Sequence, residues 1–171
     1  MRNTNVKKLV LSSLMAALTC VATMVIEIPS PANGYVNLGD CVVLLSGWLL
    51  GPWYGAAAAG IGSMLADIFA GYAYYAPGTL VIKGLMGLVA AVISRIFGKK
   101  MPKVAVLVSG IAAEVLMVVG YFIYAAAFLQ YGAAGAAASV PGNLMQVVFA
   151  VIAATVLMGV FRRTKLQEHL I

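Results

Sequence analysis

Charged side chains are scarce in this chain. They make up 9% of its 171 residues, where a soluble domain carries about 25%. Hydrophobic residues make up 63%, and the mean hydropathy is +1.02. One water-soluble fold of this length cannot hide that much apolar surface. The composition points to an integral membrane protein with a single domain, residues 1–171. Histidine is almost missing: His169 stands alone in a charged tail, as a solvated surface residue. Cysteine is limited to Cys20 and Cys41, in or beside apolar segments, with neither metal spacing nor a disulfide framework. Both read as small packing residues. The sequence has no HExxH and no GxSxG, and its few carboxylates are scattered. No metal site, no cofactor and no enzymatic activity are expected. Nucleic-acid binding needs a basic face on a water-exposed domain, and nothing here supplies one.

What the sequence does have is long apolar runs, and about 20 such residues cross a bilayer. Six segments emerge: about Val6–Ile26, Asp40–Leu50, Tyr54–Ala70, Gly78–Phe97, Val104–Phe128 and Pro141–Phe161. The first is too long for a signal-peptide core, and no small-x-small cleavage site follows it. The second and third are short for full spans. Tilted or partly embedded helices fit them, and a single re-entrant hairpin is the alternative.

The cations test the count. Arg2, Lys7 and Lys8 lie before or at the start of the first segment. Arg95, Lys99, Lys100 and Lys103 lie at the end of the fourth or between it and the fifth. Arg162, Arg163 and Lys165 follow the sixth. With six spans and both termini inside, all ten are cytoplasmic and the outer loops carry no Lys or Arg, as the positive-inside rule requires. The outer stretches Glu27–Gly39, Gly71–Pro77 and Leu129–Pro141 are the longer ones, rich in Gly, Pro, Asn and Tyr. Long ordered loops are often functional, and three on one face suggest a mouth that opens outward. Ordinary connections are the plainer alternative.

Lys83 is the eleventh cation, inside the fourth apolar run. Counting at about 1.5 Å per residue places it roughly 8 Å below the outer end, with Glu114 of the fifth segment roughly 7 Å deeper. An ionisable group at such depth is a functional candidate. Helical side chains lean toward their own N-terminus, so Lys83 leans outward and Glu114 inward. The opposed leans disfavour a direct pair, and Asp67 is the expected partner of Lys83. A lysine that merely snorkels is the bland reading. On the first reading, Lys83→Met weakens ligand binding and leaves folding nearly unchanged. Asp40 ends "NLGD" where the second segment begins and is expected to cap that helix, with Asn37 sharing the turn. Tyr121, Asn143 and Gln146 join Lys83 and Glu114 in a polar set between mid-membrane and the outer face, while single tyrosines also suit an interfacial belt. In the first segment Ser12, Ala16 and Cys20 repeat at four-residue spacing, as do Ser13 and Ala17. Such stripes let another helix approach closely, either inside this protein or from a partner.

The stretch "YVNLGDCVVLLSGWLLGPWYGAAAAGIGSMLADIFAGYAYYAPGTLVIKGLMGLVAAVISR", Tyr35–Arg95, resembles the substrate-binding S component of energy-coupling factor (ECF) vitamin transporters, in the riboflavin-transporter-like group. The likeness extends over the whole chain in length and topology. It implies an all-α protein of six transmembrane helices, N-in/C-in, in a bacterial cytoplasmic membrane. It implies a subunit that captures a vitamin or precursor from outside and works with a transmembrane T component and two ABC ATPases. The first-segment stripe, Ser12, Ser13, Ala16, Ala17 and Cys20, is similar to the family's docking surface for the T component, with Ser13 where an alanine is usual. The candidate ligand contacts are Lys83, Glu114, Tyr121, Asn143, Gln146, Tyr75, Tyr35 and Asn37, with Asp40 and Asp67 as structural charges. That inventory suits a small planar heterocycle, a hydroxymethylpyrimidine or pyridoxine-like molecule first and riboflavin next. An autonomous secondary transporter or channel is the alternative, and an assembly protein without a small ligand is a third. No inverted repeat relates residues 1–85 to 86–171, as many secondary transporters would require.

Overall fold

Each apolar run becomes a helix, because backbone polar groups away from water must be satisfied within the segment. The computed structural model describes residues 2–25, 27–30, 34–98 and 101–164, with side chains for 5–25, 37–98 and 101–164. The expected cytoplasmic cations Lys99, Lys100 and Lys165, and His169, lie outside the described residues. So does the side chain of Arg2. In chain order the elements are α1 (Arg2–Val25), β1 (Glu27–Ser30), β2 (Gly34–Asn37), α2 (Gly39–Leu50), α3 (Pro52–Phe69), α4 (Ala76–Gly98), α5 (Pro102–Ile123), a π turn (Tyr124–Phe128), α6 (Gly132–Ala137) and α7 (Val140–Arg163).

Four helical stretches are long and apolar enough to cross a membrane: Asn5–Val25, Ala76–Gly98, Pro102–Phe128 and Gly132–Arg163. α2 is shorter, at 12 residues, or about 18 Å, against a hydrocarbon core of about 30 Å. Every one of its residues is buried, so protein rather than lipid surrounds it. Two outer stretches hold structure where connecting loops were expected. Glu27–Asn37 folds as an antiparallel hairpin with Glu27 opposite Asn37 and Ser30 opposite Gly34. Leu129–Pro141 holds α6.

The packing is set by small residues. α2 and α3 meet at the turn Gly51–Pro52, where Gly51 takes φ +84°, a left-handed conformation that suits glycine. A Cβ on Gly47 of α2 would sit 2.4 Å from the Gly87 carbonyl oxygen of α4. That backbone-to-backbone approach admits no side chain. Gly60 faces Leu80 and Gly84, and Gly87 faces Gly55 and Ala59, so α3 and α4 run antiparallel. Gly62 touches Ala16 and Thr19, and Ser12 donates to the Tyr54 carbonyl, so α1 runs parallel to α3. Gly120 packs on Ile82 and Gly78 on the Tyr124 ring, which makes α4 and α5 antiparallel.

One end of the bundle therefore collects the start of α1, the α2–α3 turn, the end of α4, the start of α5 and the end of α7. Arg95 packs over Gly51 there, and Arg162 donates to the Pro102 carbonyl at 2.9 Å. The outside is apolar: Leu9, Leu14 and Leu18 of α1 and Met145, Phe149 and Ile152 of α7 are exposed. The interior holds Asp40, Ser46, Lys83, Ser109, Glu114 and Gln146. Trp48 of α2 donates its indole N–H to Ser109 of α5 at 2.9 Å, so one polar pair inside the core is satisfied. An apolar exterior of this extent belongs against lipid, and the chain is a multi-pass membrane protein.

Gly47→Ala is expected to lower thermal stability in detergent by the equivalent of about 1–3 kcal/mol, the usual cost of overpacking. Gly159→Ala on α7, where a Cβ meets open space, should cost nothing or gain up to about 1 kcal/mol. Equal melting shifts for the two would contradict the packing described.

Candidate functional site

The end of the bundle opposite those cations carries the polar cluster, and it is built from five elements. Lys83 of α4 is 3% exposed and forms a salt bridge with Asp40 Oδ1 at the start of α2. The other carboxylate oxygen, Oδ2, accepts a hydrogen bond from Gln146 Nε2 of α7. Gln146 Oε1 in turn accepts from the backbone N–H of Asn37, the last residue of β2, at 3.0 Å. Lys83 Nζ also lies 5.4 Å from the centroid of the Tyr121 ring on α5, within cation–π range. The Tyr121 hydroxyl and Thr79 Oγ1 of α4 are 2.9 Å apart.

Two sequence expectations are corrected by this geometry. The salt-bridge partner of Lys83 is Asp40, not Asp67, which is buried on α3. Packing explains the choice, since Gly47 of α2 lies against Gly87 of α4 and brings the first turn of α2 to Lys83. Asp40 does not cap α2 either. The residue at the cap is Leu38, and Asp40 lies inside the first turn without a capping hydrogen bond. Asn37 does share in the turn: its Oδ1 accepts from the Gly39 N–H at 2.8 Å. Gly39 has no space for a side chain, because a Cβ would lie 2.0 Å from the Thr23 hydroxyl of α1.

Glu114 of α5 is fully buried, and neither carboxylate oxygen has a hydrogen-bond partner in the described protein. Asp40 and Lys83 are the charges that act on it, yet no salt bridge joins it to Lys83 among the described residues, as the opposed helical leans implied. Asn143 lies half-buried on the first turn of α7, one turn before Gln146. The side chain of Tyr35 lies outside the described residues.

An aromatic layer covers this end. Tyr75, 8% exposed, has its ring 6.2 Å from that of Tyr121 and 6.0 Å from that of Tyr124. Tyr124 opens the π turn, donates to the Tyr74 carbonyl at 2.9 Å and stacks on Phe128 at 5.5 Å. Burial, reinforced by neighbouring tyrosines and Asp67, pushes the Tyr75 phenol up to about 12, so it stays neutral. The π turn is a local widening of the helix that often marks functional positions. Buried carboxylates and amides beneath aromatic faces are what a polar, planar ligand needs: edges to hydrogen-bond and rings to stack on.

The sequence model of the family described as "ECF-type riboflavin transporter, S component" matches residues 3–163. The chain belongs to that family. A "Thiamine precursor transporter HmpT" of Lactococcus lactis subsp. cremoris (strain MG1363) is 30% identical over 166 residues, covering 96% of this chain and 93% of that protein. An "Uncharacterized protein in gap 3'region" of Pyrococcus woesei is 37% identical over 136 residues, covering 77% of this chain and 86% of its own. Membership makes this S component part of a transporter rather than an enzyme in its own right.

The small-residue stripe of the S component divides into two faces. Ser12 and Cys20 are buried, and Ala16 is half-buried and touches Gly62 of α3, so this line packs inside the protein. Ser13 and Ala17 are exposed. With Trp53, Ala57 and Ile61 they line a groove of about 530 Å³ between α1 and α3, and Ser12 and Ala16 form part of its floor. Asp40 and Thr79 are the members of the polar cluster that sequence reasoning did not assign to it. A signal for Asp40 existed: a buried cation needs a buried anion, and Asp40 starts its helix at the end of the bundle where Lys83 lies.

Removing one partner of a buried ion pair strands the other charge, at a cost of about 3–5 kcal/mol. Lys83→Met is therefore expected to destabilise the fold, contrary to the sequence expectation. Asp40→Asn with Lys83→Met should recover much of that loss. Thermal unfolding of the two single variants and the double in detergent checks this, and strictly additive losses would refute the pair.

Proposed function

We propose that this chain is the substrate-binding subunit of an ECF-type transporter and captures a thiamine-precursor-like heterocycle, a hydroxymethylpyrimidine first, from outside the cell. The observation that carries the reading is Glu114: a fully buried carboxyl group without a hydrogen-bond partner among the described residues, beside the Asp40–Lys83–Gln146 network and beneath the tyrosine layer. Leaving such a group unpaired is costly, and a ligand amino group would relieve it. An aminopyrimidine has that donor, a ring nitrogen to accept from an amide or ammonium group, and a flat face for Tyr75 and Tyr121. The named function of the Lactococcus lactis relative supports this choice. Pyridoxine-like molecules share the chemistry, and the family's description favours riboflavin as the second reading.

In this reading six helices span or embed in the membrane, with the cationic end in the cytoplasm and the tyrosine layer outside. Toward the cationic end the core is closed by Leu49, Leu50, Val106 and Met158. That apolar plug disfavours the autonomous channel or carrier and suits release driven by partners. The membrane is a bacterial cytoplasmic membrane, and the partners are a T component and two ABC ATPases. The T component docks on the exposed Ser13/Ala17 groove.

Calorimetric titration of the purified protein with hydroxymethylpyrimidine, pyridoxine, thiamine and riboflavin tests the ligand. Hydroxymethylpyrimidine should bind tightest, and Glu114→Gln should weaken it at least tenfold while the protein stays folded. Absence of binding across the panel would sink the proposal. Ala17→Trp should abolish ATP-driven uptake in vesicles with the partners and leave ligand affinity unchanged. Normal uptake by that variant would remove the groove from the docking surface.

A further inference from the structure

A second groove, of about 540 Å³, lies at the cationic end between α5 and α7, far from the polar cluster. Its mouth carries Lys103 at the start of α5 and Arg162 and Arg163 at the end of α7. None of these three cations has a salt bridge among the described residues. The guanidinium of Arg162 is held toward α5 by its bond to the Pro102 carbonyl, which leaves further N–H donors of its planar fork to serve an anion. Along α7, Thr155, Gly159 and Arg163 follow at four-residue spacing and so share one face. Lys103 and Val106, three residues apart, likewise share a face of α5. Gly159 leaves open space where a side chain would fill the groove. Val106, Val156 and Met158 form apolar walls deeper in.

From mouth to floor the groove thus presents cations, a gap and apolar walls. That order matches an anionic amphiphile: phosphate, glycerol, acyl chain. A peptide would leave the deep apolar part facing the wrong chemistry, and a free anion would leave it empty. We propose that this groove binds one anionic phospholipid of the cytoplasmic leaflet. The phosphate sits between Lys103, Arg162 and Arg163, and an acyl chain lies along the apolar walls. Basic recesses between membrane helices on the cytoplasmic side are suited to such headgroups.

The test uses the full chain, delipidated in detergent, with melting followed in the presence of phosphatidylglycerol, phosphatidylcholine of the same chains, or inorganic phosphate. Phosphatidylglycerol should raise the melting temperature by several degrees more than phosphatidylcholine, and native mass spectrometry should show one retained lipid. Lys103→Gln with Arg163→Gln should erase the difference. Gly159→Phe should erase it too, with every cation still present, and Gly159→Leu serves if the phenylalanine variant fails to fold. Equal shifts for the two lipids overturn the proposal. A shift with inorganic phosphate alone reduces the site to an anion site and overturns the lipid assignment, and persistence of the lipid preference in the filled-groove variant excludes this groove as its location.

Discussion

The ion pair between Asp40 and Lys83 is the constraint on which the rest of the site depends. Two charges lie almost entirely out of solvent, and desolvation of that kind is offset only if each charge keeps partners. Asp40 has them on both oxygens, Lys83 on one and Gln146 on the other. Lys83 adds the face of Tyr121. Through these contacts a single carboxylate fixes α2, α4, α5 and α7 relative to one another, and Gln146 extends the hold to the hairpin at Asn37. The network explains why so short a helix as α2 sits at the centre. It brings Asp40 to the depth where Lys83 can meet it, and its small residues let α3 and α4 close around it.

Much of the architecture was legible in the sequence because membrane helices announce themselves locally. Apolar runs gave the helices with boundaries close to those observed. The shortness of the second run marked α2 as unusual. The depth of Lys83 and the opposed lean of Glu114 followed from helix geometry alone. The partner of Lys83 did not, because depth restricts a choice among acids without fixing which helix faces which. Asp40 also stood where a cap is common, and a cap is a purely local role. Only the packing of Gly47 on Gly87 shows that α2 lies against α4 and that its first turn faces Lys83. The hairpin was hidden for a related reason: its ladder joins two four-residue strands in a stretch rich in Pro, Gly and Asn, where periodicity is too short to read. The stripe in α1 divided because four-residue spacing defines a face without saying what covers it. Ser12 found the Tyr54 carbonyl, while Ala17 stayed exposed.

The distribution of polar groups along the bundle bears on how such a subunit can move a solute. One end holds Asp40, Lys83, Glu114 and Gln146, and the other holds Arg95, Lys103, Arg162 and Arg163. Between them lie Leu45, Leu49, Val106 and Met158, buried in one apolar cluster. A polar ligand crossing that layer would lose its hydrogen bonds with nothing in exchange. Opening it would separate α2 from its neighbours and so break the ion-pair network. Motion of the protein as a body avoids both costs, because the network and the plug stay intact while the binding end changes its exposure. An apolar exterior with few protruding charges offers little resistance to such reorientation in lipid. The cations at the far end resist it, since each prefers the headgroup region. Reorientation therefore needs a source of energy outside this chain, which is the role the proposed partner with ATPase subunits would fill.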